Sequence, residues 1–174
     1  MTMTTAERKT VREQLHLLKP AGFKQLADDA SNLDDIVAEY DKLYKIGREL
    51  IVIEDRALAE GLATQGQERQ FFGYCASLLR SLLKVLELKL AKKRGEKYGG
   101  ILAENPRDLN DRAINSIIDG DDEVFDLHMQ VISVREYVEK FNDLVESYNQ
   151  RGYALNNLTR AMSDAIAEMI VNEQ

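Results

Sequence analysis

Between Val124 and Tyr148 the apolar residues Val124, Leu127, Val131, Val134, Val138, Phe141, Val145 and Tyr148 recur at alternating spacings of three and four. This is the period of a helix with one apolar stripe, sustained over four heptads with valine at every a-type position. Asp121, Asp122 and Glu123 stand just before it, where negative charge offsets the helix dipole, so the pattern predicts a helix over 121–151 that Gly152 ends. Leu33, Ile36, Tyr40, Leu43, Gly47 and Leu50 follow the same alternation after Ser31 and Asp34, an N-capping pattern, and predict a helix over about 32–60. Phe72, Cys75, Leu79, Leu82, Leu86 and Leu90 predict a second long helix toward Tyr98, with a break at Gly61 and Gly66 before it and a stop at Gly99 and Gly100. Shorter elements complete the chain. Val11, Leu15 and Leu18 mark a helix over 4–19 that ends before Pro20, and Asn105-Pro106 opens a short helix that Gly120 closes. Leu155, Leu158, Met162, Ile166 and Ile170 mark a last amphipathic helix from Ala154 to Val171.

The expected architecture is all-α, made of long amphipathic helices. Composition agrees, because two prolines and ten glycines in 174 residues supply too few turn formers for a sandwich or barrel. No repeat, low-complexity tract or composition shift divides the chain, so one all-helical domain over 1–174 is expected, with N-terminal helices over 1–66. The heptad-bearing helix 121–151 presents a seam that needs a cover, and a partner chain is the simplest one. A homo-oligomeric helical assembly is therefore expected, joined through Val124, Leu127, Val131, Val134, Val138, Phe141, Val145 and Tyr148. The lone Cys75 cannot form an internal disulfide, which fits a reducing cytoplasm. No stretch has the uncharged apolar length of a membrane span, and the first residues lack the apolar core of a signal peptide.

Catalytic chemistry is hard to assemble from these residues. His16 and His128 are far apart in sequence, and Cys75 occupies a position where its helix needs an apolar residue. Glu13-x-x-His16 is half of a di-iron carboxylate motif, but Phe125 stands where the second half needs a glutamate before His128. Asp119, Asp121, Asp122 and Glu123 lack the alternation, glycine and terminal glutamate of a calcium loop, and there is no Gly-rich phosphate loop. The expectation is a protein without catalytic residues, metal or cofactor. One charge feature remains: residues 84–97 hold six cations against two anions, a local +4 in a chain of net charge -7. On a helix Lys89, Lys92, Lys93 and Lys97 share one broad face, where with Arg94 they can track a phosphate backbone. The same cations also suit the negative end of a helix dipole with no ligand at all. Tyr98, directly after them, is an aromatic that can stack on an unpaired base, which favours single strands over duplex.

The run Ala91-Lys92-Lys93-Arg94-Gly95-Glu96-Lys97-Tyr98-Gly99-Gly100 is followed by Ile117-Ile118-Asp119-Gly120-Asp121-Asp122-Glu123-Val124, a valine-rich helix, and Gln150-Arg151-Gly152-Tyr153-Ala154-Leu155-Asn156-Asn157-Leu158. In order and spacing this succession, over roughly residues 80 to 160, resembles the UvsY family of recombination mediators from T-even-type phages. The resemblance makes 67–174 a DNA-binding and oligomerisation region. It implies an all-helical, non-hydrolysing homo-oligomer that binds single-stranded DNA and loads a RecA-like recombinase onto strands coated with single-strand-binding protein. The family's Leu-Lys-x-Arg motif falls on Ala91-Lys92-Lys93-Arg94, with alanine in place of leucine, and assigns DNA contact to Lys92 and Arg94. With the charge pattern this nominates Lys89, Lys92, Lys93, Arg94, Lys97 and Tyr98, and Arg151 and Arg160 come next. The first seventy residues and the helix after Leu158 are longer than the family pattern. A helical structural or adaptor protein without nucleic-acid binding is the rival expectation.

Overall fold

The computed structural model describes residues 4–15, 33–52, 58–104 and 109–172. Among them are five helices and no strand, an all-α fold: α1 Thr5–Gln14, α2 Leu33–Leu50, α3 Leu58–Glu104, α4 Asp111–Asp119 and α5 Asp122–Asn172. None is long and apolar enough to cross a membrane. α1 opens with a capping box, in which the Thr4 hydroxyl accepts from the Glu7 amide at 3.3 Å and Glu7 accepts from the Thr4 amide at 2.7 Å. The Thr4 amide, together with the Thr4 hydroxyl that donates to Glu7 Oε2 at 2.8 Å, holds the Glu7 carboxyl below its ordinary range. The expected Ser31 cap and the Asn105-Pro106 helix start lie outside the described residues. Among the described residues α4 begins at Asp111, where the Asn110 side chain accepts from the Ala113 amide at 2.9 Å.

Four expected boundaries are corrected. α2 ends at Leu50, ten residues short of the expected 60. α3 runs through Gly61, Gly66, Gly99 and Gly100, and α5 continues through Gly152 to Asn172. A helical glycine costs only about 1 kcal/mol against alanine, which the packing of a long helix can offset. Gly61 and Gly152 serve close approach: a Cβ on Gly61 would meet Arg151 Nη2 at 3.3 Å, and one on Gly152 would meet Gln65 Nε2 at 3.2 Å.

The helices contribute to two compact units, each with its own core. In the first, comprising 1–20, 39–76 and 140–174, the fully buried rings of Tyr40, Phe72, Phe141 and Tyr148 form the centre. Phe141 lies 5.7 Å edge-on from Tyr40 and 6.4 Å from Phe72, which stacks on Tyr148 at 5.4 Å. Tyr148 donates its hydroxyl to the Gly47 carbonyl at 3.2 Å, and burial pushes its phenol well above the ordinary range. Cys75 is buried in this unit, and desolvation raises its thiol to about 12, so it packs as a small apolar residue. A Cβ on Gly47 would stand 2.5 Å from Leu144 Cδ2 and 3.0 Å from Phe72 Cζ, both on fully packed side chains. Gly47→Ala is therefore expected to destabilise the protein by about 1–2 kcal/mol, overpacking outweighing the gain in helix propensity. A urea titration followed by circular dichroism reads that shift, and a stabilised variant would refute it.

The second unit comprises 21–38 and 77–139. Leu79, Leu82 and Leu86 of α3 and Val131, Val134 and Val138 of α5 are buried within it. The seam expected to join copies of the chain is packed inside the chain itself. Val124, Val131, Val134, Val138, Phe141 and Tyr148 are all buried by the chain's own helices, and Leu127 and Val145 are partly so. α2, α3 and α4 supply a cover for the seam, the role that the sequence assigned to a partner.

Candidate nucleic-acid interface

The nominated cations project from the C-terminal part of α3, in the second unit. Facing them are α4 and the start of α5. Ile114 and Ile118, one turn apart on α4, join Val124 of α5 in a small apolar cluster against which Leu90, Tyr98, Ile101 and Leu109 pack. Gly120 caps α4, its amide bonding to the Ser116 carbonyl at 3.3 Å, and Asp121 caps α5, its Oδ1 accepting from the Val124 amide at 3.3 Å. This tight connection carries Asp119, Asp121 and Glu123 onto the cationic face of α3.

The result is a row of ion pairs. Lys93 Nζ lies 2.6 Å from Glu123, Arg94 Nη1 2.5 Å from Asp119, and Lys97 Nζ 2.6 Å from Asp121 and 3.4 Å from Glu123. Hydrogen bonding to Asp121 raises the Lys97 ammonium above its usual range, and the facing cations hold the Asp121 and Glu123 carboxyls below theirs. Tyr98 donates its hydroxyl to Asp111 at 2.7 Å, and its ring is half-buried against the apolar cluster rather than presented as an open stacking surface. Lys92 is the most exposed of the set and makes only a loose 3.8 Å pair with Glu96, while Lys89 is partly exposed.

The +4 island of the sequence is thus cancelled in the fold. Residues 111–123 hold five acids and one arginine, so 84–97 and 111–123 together carry no net charge. What remains is a surface of close ion pairs whose cations are about a third exposed and whose Asp119 and Glu123 carboxylates are about 60% exposed, pairs that contribute modestly to stability.

A second ionic feature, in the first unit, was not visible in the sequence. Glu68 is 1% exposed and takes two arginines, Arg12 Nε at 2.8 Å and Arg151 Nη1 at 2.7 Å. Arg12 also donates to the Leu50 carbonyl at 2.9 Å, and Arg151 to Gln65 at 3.0 Å, while Gln65 donates to the Tyr148 carbonyl. Arg151, a reserve candidate for DNA contact, is therefore a buried structural residue unable to reach a strand. Arg160 is exposed on α5. Among the described residues no group of histidine, cysteine and acidic side chains is arranged to hold a metal ion.

No protein family, curated protein or solved structure matches this chain.

Proposed function

We propose that this chain is a non-enzymatic recombination mediator that binds single-stranded DNA and, as a homo-oligomer, loads a RecA-like recombinase onto strands coated with single-strand-binding protein. One observation carries the reading. Ala91–Gly100 and Ile117–Val124, two of the segments whose sequence resembles the mediator family, lie against each other in one unit and share a row of partly exposed ion pairs. Phosphates can replace the well-exposed carboxylates of Asp119 and Glu123 on such cations, because a pair with one partner in solvent is weakly held. Each phosphate contact is weak, and several copies of the row in one assembly add through effective concentration.

Oligomerisation then falls to a different surface from the buried seam. Beyond Leu155 every described α5 side chain through Glu168 is exposed, and Leu158, Met162 and Ile166 form a one-sided apolar stripe, 47–56% exposed. Met162→Asp with Ile166→Asp is expected to lower the particle mass in light scattering without loss of helix content. A wild-type monomer would remove the oligomer from this reading.

Binding of a fluorescent mixed-sequence oligodeoxynucleotide across a salt series tests strand binding. A steep salt dependence is expected, and Lys89→Glu with Lys92→Glu should weaken binding to every sequence alike, the slope falling by about 0.7 for each phosphate that the variant no longer neutralises. Absence of binding at low salt would favour the adaptor reading, which the cancelled charge of residues 84–97 and 111–123 supports.

A further inference from the structure

We propose that the Asp119–Glu123 segment is a built-in competitor of phosphate: in the free protein its carboxylates occupy Arg94 and Lys93, and a strand gains these cations by displacing Asp119 and Glu123. This rests on the strand-binding reading above and adds its regulation. The segment carries acids at 119, 121, 122 and 123, and those at 119, 121 and 123 meet cations at 94, 97 and 93 along one face of α3. Carboxylates presented together to a row of cations offer the same charge that a short run of phosphates would.

The three acids are not equivalent. Asp121 has a second task, since its Oδ1 caps α5 while its Oδ2 pairs with Lys97, and its side chain is 25% exposed. Asp119 and Glu123 have side chains about 60% exposed, and among the described residues their carboxylates pair with these α3 cations. They can turn into solvent by rotamer changes alone. Nothing in the backbone has to open, because the apolar cluster of Ile114, Ile118 and Val124, with the Asn110 and Asp121 caps, holds α4 and the turn in place without them. Asp121 therefore stays as the hinge of the row, and its two neighbours yield.

The device sets a threshold. A single anion must compete with a tethered carboxylate at high effective concentration, whereas a strand offers linked phosphates to both cations at once. It also lowers the salt dependence of the wild type, since cations already neutralised by carboxylates have fewer counterions to release.

The test compares Asp119→Asn/Glu123→Gln with wild type and with Asp126→Asn/Glu139→Gln, which makes the same charge change at exposed α5 positions outside the row. Affinity for a mixed-sequence oligodeoxynucleotide is read across a salt series. The row variant is expected to bind about tenfold tighter than wild type, with a salt slope steeper by about 1.4 for two unmasked cations, and to exceed the control in both. Asp119→Asn alone, which leaves the Glu123 pair intact, should give an intermediate gain and guards against misfolding of the double variant. If wild type binds and the row variant binds no tighter than the control, the competitor is refuted while strand binding stands. If no form binds at low salt, strand binding fails and the competitor with it.

Discussion

Replacing Glu68 with alanine is expected to remove about 3–5 kcal/mol of folding stability, a large share of the 5–15 kcal/mol typical of a domain. Glu68 sits almost without solvent between the Arg12 and Arg151 guanidinium groups, at 2.8 and 2.7 Å. Its removal takes a shared carboxylate from two arginines whose side chains are only 8% and 3% exposed, and leaves the Arg151 charge buried without a counter-charge among the described residues. A reduced urea midpoint with an unchanged slope is the expected measurement. The triple variant Arg12→Met/Glu68→Leu/Arg151→Met should recover most of the loss, because the unpaired charge, rather than an absent attraction, drives it. A Glu68→Ala variant within about 1 kcal/mol of wild type would mean that water or a movement of α1 reaches the arginines.

The all-helical fold was legible because its signal is local and periodic. Leu33, Ile36, Tyr40, Leu43 and Leu50 on α2, and Phe72, Cys75, Leu79, Leu82 and Leu86 on α3, were identified by spacing and are all buried. Helix ends were less legible, because glycine signals both a stop and a close approach. Gly61 and Gly152 are of the second kind, and only the positions of Arg151 and Gln65 across the helix pair separate the two meanings. The candidate site divides in the same way. Its cations could be read from one turn of sequence to the next, but their carboxylate partners come from some 25 residues away and depend on the geometry of the Gly120 turn. The Arg12, Glu68 and Arg151 contacts span 56 and 83 residues, and no spacing rule links them. The heptads of α5 were correctly seen as a seam, yet a seam pattern cannot state whether its cover belongs to the same chain.

Phe141→Ala decides that last point, with an expected loss of about 3–5 kcal/mol. Phe141 occupies a d-type position of the seam, is fully buried, and meets Tyr40, Tyr44 and Phe72 with ring centroids 5.7–6.4 Å away. Truncation removes the burial of a whole ring and leaves a cavity walled by aromatic side chains that cannot collapse without giving up their own edge and tilted contacts. Because α2 and α3 supply those rings, the loss belongs to the folding of one chain. Unfolding of Phe141→Ala by urea should therefore shift to lower denaturant by the same amount at every protein concentration, with the Tyr148 to Gly47 bond weakened along with the ring stack. Where a seam joins separate chains, mass action makes the midpoint climb with concentration and makes the variant dissociate before it unfolds. A shift that grows on dilution would return Phe141, and Val131 and Val138 beside it on the stripe, to an interface between copies.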